Sequence, residues 1–274
     1  MLAKCIIDLR STGVARRVRG IEVRTLMLIA GLSLGCDPGD DSWARYLETK
    51  QYDGGAPGVC PASGSIMVSS PRSGHGDIYA YDGSGRREPL RLTSDEAFES
   101  HPVCSPDGKW IVYSKEARGY ANLWIMLRDG SRKRRLTSGP VFDHPRGFAA
   151  DGSVVRFIRA YPSAGMARSA DWHQVRLDGS GLTKGEGGTG ARFNMGLSIS
   201  VPGGRAYDFG RDGKMAVRRN GEAVEVVDLP RDGIPFPTLD LERKRIVFSA
   251  IGPGGSEVEI YQVDIETDRV SRLW

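Results

Sequence analysis

A segment that recurs at intervals of 39–52 residues constrains this chain more than any other feature, because a repeat of that length means one small unit stacked on copies of itself. The stretch 101–114, which opens His101-Pro102 and carries Asp107-Gly108 before an apolar run, returns at 144–158 with His144-Pro145, Asp151-Gly152 and a second apolar run. Weaker copies lie at 58–70, 198–210 and 237–250, and they place Ile66, Ile111, Val155, Tyr207 and Ile246 in register. A unit of this size buries no core alone, so the copies must pack on one another.

Each copy divides into four short strands, predicted in the second copy at Pro102–Ser105, Trp110–Ser114, Asn122–Leu127 and a last strand ending in Leu-Thr. Leu-Thr pairs stand at 92/93, 136/137 and 182/183. Between third and fourth strands come Asp82-Gly83, Asp129-Gly130, Asp178-Gly179 and Asn220-Gly221, dipeptides suited to the positive φ of tight hairpins. The runs Ile66-Met67-Val68, Trp110-Ile111-Val112-Tyr113 and Ile246-Val247-Phe248 are apolar on successive residues, which requires cover on both faces of the sheet. The expected fold is all-β: a β-propeller of four-stranded antiparallel blades over 58–274. Five blades are visible, and six is the alternative if residues 37–57, with Trp43, Tyr46 and Leu47, add strands.

The second copy, His101-Pro102-Val103-Cys104-Ser105-Pro106-Asp107-Gly108-Lys109 with Arg134-Arg135-Leu136-Thr137, resembles the TolB-type β-propeller repeats of bacterial envelope proteins. The resemblance covers roughly 58–274. It implies a propeller and leaves function open, since such propellers serve as binding scaffolds, sugar-processing enzymes and peptidase gates. TolB-type proteins place an α/β domain before their blades, whereas here 21 residues separate Cys36 from Gly58, so the part of that family's role carried by the domain is not expected.

Ahead of the repeats, Thr25 to Gly35 forms an apolar run of eleven residues behind Arg16, Arg17, Arg19 and Arg24, too short for the roughly 20 residues of a membrane helix. Residues 1–35 read as a signal peptide, and Gly35-Cys36 resembles the cleavage and acylation site of bacterial lipoproteins, with Ser33 where a branched aliphatic is preferred. Cys36 is then the lipidated residue, 36–57 a linker, and the location periplasmic or cell-envelope; a different secretory signal, an uncleaved anchor or a buried segment are the alternatives. The formal charge of +4 does not point to nucleic acid. The first 35 residues hold six basic and two acidic residues, and removing them from the chain's 38 and 34 leaves 32 of each.

Few residues offer chemistry. His101 and His144 occupy equivalent positions and are expected at one mouth of the channel, where Glu99 or Asp143 could add a carboxylate. Two imidazoles fall below the three protein ligands of a catalytic metal, so no metal, cofactor or catalytic residue is assigned. Cys60 and Cys104 are register-equivalent on neighbouring first strands, which allows a disulfide in an exported protein; two packed thiols are the alternative. His75 and His173 read as loop and surface residues, Arg132-Lys133-Arg134-Arg135 as a charged outer edge, and 185–190 as a flexible glycine-rich loop. After the signal segment no G-x-S-x-G elbow is present, and no hydrolase domain for the propeller to gate is expected.

The expectation is a monomeric, non-enzymatic binding scaffold that recognises an envelope protein or glycan through loops at the ring ends, first among them 70–76, 116–121 and 161–171. Its contact with the membrane would be the lipid anchor alone. The rivals are a metal-assisted polysaccharide lyase or hydrolase using His101 and His144, and a fragment that completes its ring with a second chain.

Overall fold

In the computed structural model, residues 56–74, 76–83, 87–163, 166–185, 197–210, 213–229, 237–251 and 258–274 are described. The expected signal segment, Cys36, most of the expected linker, His75 and the glycine-rich residues 186–190 lie outside them. The described residues form a β-propeller of antiparallel four-stranded units, one for each copy of the repeat.

Unit one comprises β1 (Gly58–Val59), β2 (Ile66–Ser70), β3 (Asp77–Tyr81) and β4 (Leu90–Arg91). Unit two comprises β5 (Glu99–Cys104), β6 (Trp110–Ala117), β7 (Tyr120–Leu127) and β8 (Arg134–Arg135). Unit three follows with β9 (Phe142–Phe148), β10 (Val154–Ser163), β11 (Met166–Arg176) and β12 (Thr183–Lys184). Unit four holds β13 (Leu197–Val201), β14 (Arg205–Phe209), β15 (Lys214–Arg219) and β16 (Glu222–Asp228). Unit five holds β17 (Thr238–Asp240), β18 (Arg245–Ile251), β19 (Val258–Asp264) and β20 (Val270–Arg272). In every unit the strands pair in chain order, and one parallel bridge, Ala121 with Phe142, joins units two and three.

The apolar runs explain the stacking. On β2, Met67 packs toward unit two while Ile66 and Val68 join Val247 and Ile260 of unit five. On β6, Ile111 and Tyr113 face unit one, and Val112 meets Val155 and Phe157 of unit three. Units four and five share a cluster built on Tyr207, Phe209, Ile246 and Phe248. Among the described residues no core cluster joins units three and four.

The recurrent Leu-Thr has a dual role. Leu92 and Leu136 are buried in the seams, while Thr93 Oγ1 accepts the Ile78 N–H at 2.8 Å and Thr137 Oγ1 accepts the Leu123 N–H at 2.9 Å. Each threonine therefore satisfies a donor on the third strand that the two-residue outer strand does not reach. In unit three the motif loses this role, and Leu182 and Thr183 are exposed. The glycine-centred turns also differ among themselves. At Asn220-Gly221 both φ are positive, +51° and +88°, as a two-residue hairpin demands. At Asp129-Gly130 only the glycine is left-handed, and the Asp129 carboxylate instead caps the Ser131 N–H at 2.9 Å.

Cys60 and Cys104 form a disulfide between units one and two, with Cα atoms 5.1 Å apart and a sequence separation of 44. A bridge closing a loop of that length constrains the unfolded chain, so Cys60→Ala with Cys104→Ala is expected to lower stability by about 2–4 kcal/mol. The check is the urea midpoint with and without dithiothreitol: reductant should shift the wild type and leave the double variant unmoved.

Candidate functional site

The two histidines come together where β5 meets β9. Both precede a proline, which brings no N–H to the sheet, and both strands depart from regular pairing nearby. In β5 the register skips between Ser100 and Val103, and His101 adopts a left-handed φ of +54°. In β9 the shift falls between the partners of Arg156 and Phe157. These bulges turn the imidazoles toward each other, with ring centroids 4.7 Å apart and planes inclined at 54°.

Neither ring faces solvent: His101 is 7% exposed and His144 5%. His101 Nδ1 lies 2.9 Å from Ser100 Oγ, whereas His144 Nδ1 is buried without a partner. Burial, with the positive Arg146 adding, pushes His101 down to about 3. His144 is held well below the usual imidazole range by burial first, then by His101 and Arg146. Both are neutral at physiological pH. The two histidines expected to converge do meet, as a buried packing contact between units two and three, and among the described residues no third histidine, cysteine or carboxylate joins them as a metal ligand.

The two carboxylates expected beside the histidines are engaged elsewhere. Asp143, fully buried, accepts from Arg159 Nε at 2.7 Å and Nη2 at 2.8 Å, and from Thr137 Oγ1 at 2.6 Å. The Asp143 carbonyl accepts from Ser114 Oγ at 2.7 Å, tying unit two to unit three. Glu99 is also fully buried, and neither carboxyl oxygen receives a well-directed hydrogen bond, although Lys115 Nζ stands 3.2 Å from Oε1. Lys115 is shared with Asp95 and lies 4.9 Å over the Trp124 ring. Burial drives Glu99 up to about 8, with Asp95 adding and Lys115 opposing. The Tyr113 hydroxyl is raised by burial and by the same two carboxyls.

Other positions depart from the sequence reading. His173 is no surface residue; it is 8% exposed and packs against Phe157 with centroids 5.7 Å apart. The segment 116–121 is not a loop, because β6 and β7 run on until only Arg118-Gly119 turns, with φ of +57° and +80°. The segment 161–171 is likewise mostly strand, the outer part of a β10–β11 hairpin longer than its counterparts. Sequence reasoning missed Glu99 as a buried acid and missed Lys115 altogether, and a glutamate two residues before His-Pro gave no signal of its environment.

No family profile matches the chain. The Tol-Pal system protein TolB of Anaeromyxobacter dehalogenans (strain 2CP-C) is 34% identical over 110 residues, 35% of this chain and 25% of that protein. An uncharacterized protein of Agrobacterium fabrum is 33% identical over 115 residues, 41% of this chain and 38% of that one. Among solved structures, TolB from Acinetobacter baumannii aligns with a TM-score of 0.44 at 16% identity, over 78% of this chain and 52% of that chain. The match thus takes in about a quarter of the TolB relative's length. The class of protein is a β-propeller of repeated four-stranded units. Over the matched residues its repeats are similar to those of TolB proteins.

Proposed function

We propose that this chain is a non-enzymatic binding scaffold of the bacterial envelope, exported by residues 1–35, held by a lipid on Cys36, and recognising a protein or glycan through turns at the ends of its 58–274 propeller. The similarity of its repeats to TolB carries the reading. The site geometry supports it: His101 and His144 are closed against each other, and Asp143 is committed to Arg159. The residues a metal-assisted sugar-cleaving site would use are therefore taken up by packing. Stacked sheets would hold short turns such as Arg118-Gly119 rigid, which lowers the ordering cost of recognition.

The test uses the full chain expressed in a bacterial host with alkyne-palmitate labelling and a photo-crosslinking residue at Arg118. The expected result is lipid labelling lost in Cys36→Ser and a discrete envelope adduct from position 118. A cytosolic, unlabelled chain without adducts would overturn the proposal.

A further inference from the structure

The outer strand of unit four is unlike every other outer strand described. β4, β8 and β12 have two residues each and β20 has three, whereas β16 runs for seven. Short outer strands leave little unpaired edge, so a long one is an open row of N–H and C=O groups. Among the described strands β16 pairs with β15 alone. All its residues but Val227 are exposed, and Val224 and Val226 are 53% and 61% accessible. Val227 lies opposite Met215 against the core shared with unit five, while Val226 lies opposite Ala216 on the other face, the side on which no described core cluster forms.

The chemistry of the edge selects its occupant. Glu222, Glu225 and Asp228 recur every third residue; Arg219 stands opposite Glu222 in the pairing with β15, Lys214 Nζ lies 3.8 Å from Asp228, and among the described residues no ion pair holds Glu225. A second copy pairing antiparallel in full register would set Glu225 against Glu225 and Glu222 against Asp228. Like charges directly opposite across a strand pair are destabilising, so the edge disfavours itself. A strand carrying lysine or arginine at every third position, with valine or threonine between, would complement both the acids and the exposed valines. We propose that β16 accepts an extended basic segment of a partner protein as a fifth, added strand of unit four. This rests on the scaffold reading and gives it a particular surface.

The probe is a fluorescein-labelled peptide, KVTKVTK, titrated with detergent-solubilised full-length protein and read by anisotropy against EVTEVTE and the proline-broken KVPKVPK. Saturable binding of KVTKVTK alone is expected. Glu225→Lys, at an exposed position with an unchanged melting temperature, should weaken it at least tenfold and improve EVTEVTE. Equal binding of all three peptides, or none, would overturn the proposal. A concentration-dependent dimer that competes with the peptide would overturn it in favour of a second copy. An adduct from position 118 without peptide binding would leave the scaffold standing and remove this site.

Discussion

Asp143→Ala is expected to lose about 3–5 kcal/mol of folding stability, the cost of breaking a buried ion pair by removing one partner. The cause is what the substitution leaves behind. Arg159 is 8% exposed and would keep its charge with two hydrogen bonds gone, and Thr137 would lose the acceptor that orients it toward Leu123. Unit one supplies an internal comparison. Asp77 is equally buried and accepts from Arg91 at 2.7 Å, but the Arg91 side chain is 39% exposed and water can replace the lost carboxylate. Asp77→Ala should therefore cost less, about 1–3 kcal/mol. A double replacement, Asp143→Leu with Arg159→Met, removes both charges and should recover most of the loss. Urea titrations at constant m decide the matter. Equal costs for Asp77→Ala and Asp143→Ala would show that the burial of the arginine does not set the penalty.

Those two aspartates also show what the sequence disclosed. The repeat made the four-strand unit, the stacking and the Leu-Thr positions legible, because periodic apolar runs and Asp-Gly turns are local signals with local causes. The partner of each aspartate was not legible. Asp143 stands in the first strand of its unit and Asp77 in the third strand of its own, and their partners Arg159 and Arg91 come from the second and fourth strands, so neither acid announces where its charge is met. The bulge at His101 was hidden for a similar reason: proline after histidine weakens the ladder, but only contact with His144 decides which way the ring turns. The third copy looked looped because small and charged residues, Ser163 and Arg168 among them, stand where β10 and β11 run on. The length of β16 had no signal in the repeat, and only the pairing shows that among the described strands β15 alone adjoins it.

Stability should peak near pH 6.5 and fall on either side, for two opposed reasons. His101 and His144 are neutral in the fold and take up protons near 6.5 once unfolded. Below that pH the unfolded chain binds up to two more protons than the native one, so stability falls as pH falls. Glu99 works the other way. Its folded value of about 8 lies above the 4.5 of the unfolded chain, so the native state holds an extra proton across that interval and stability falls as pH rises toward 8. From pH 6.5 to 8 Glu99 acts alone, at about 1.4 kcal/mol per pH unit for one proton. From 6.5 down to 4.5 two imidazoles oppose one carboxyl, leaving a net loss of similar slope. The aspartates held low by hydrogen bonds, such as Asp107 and Asp129, lose theirs only below about 4 and do not blur this window. Two variants separate the limbs. Glu99→Gln should flatten the alkaline side and leave the acid side steeper, while His101→Gln should balance one imidazole against one carboxyl and flatten the acid side. Melting temperatures between pH 4.5 and 8.5 measure both. A wild-type profile level from pH 5 to 8 would mean that water reaches these groups and that the junction of β5 with β9 is not closed.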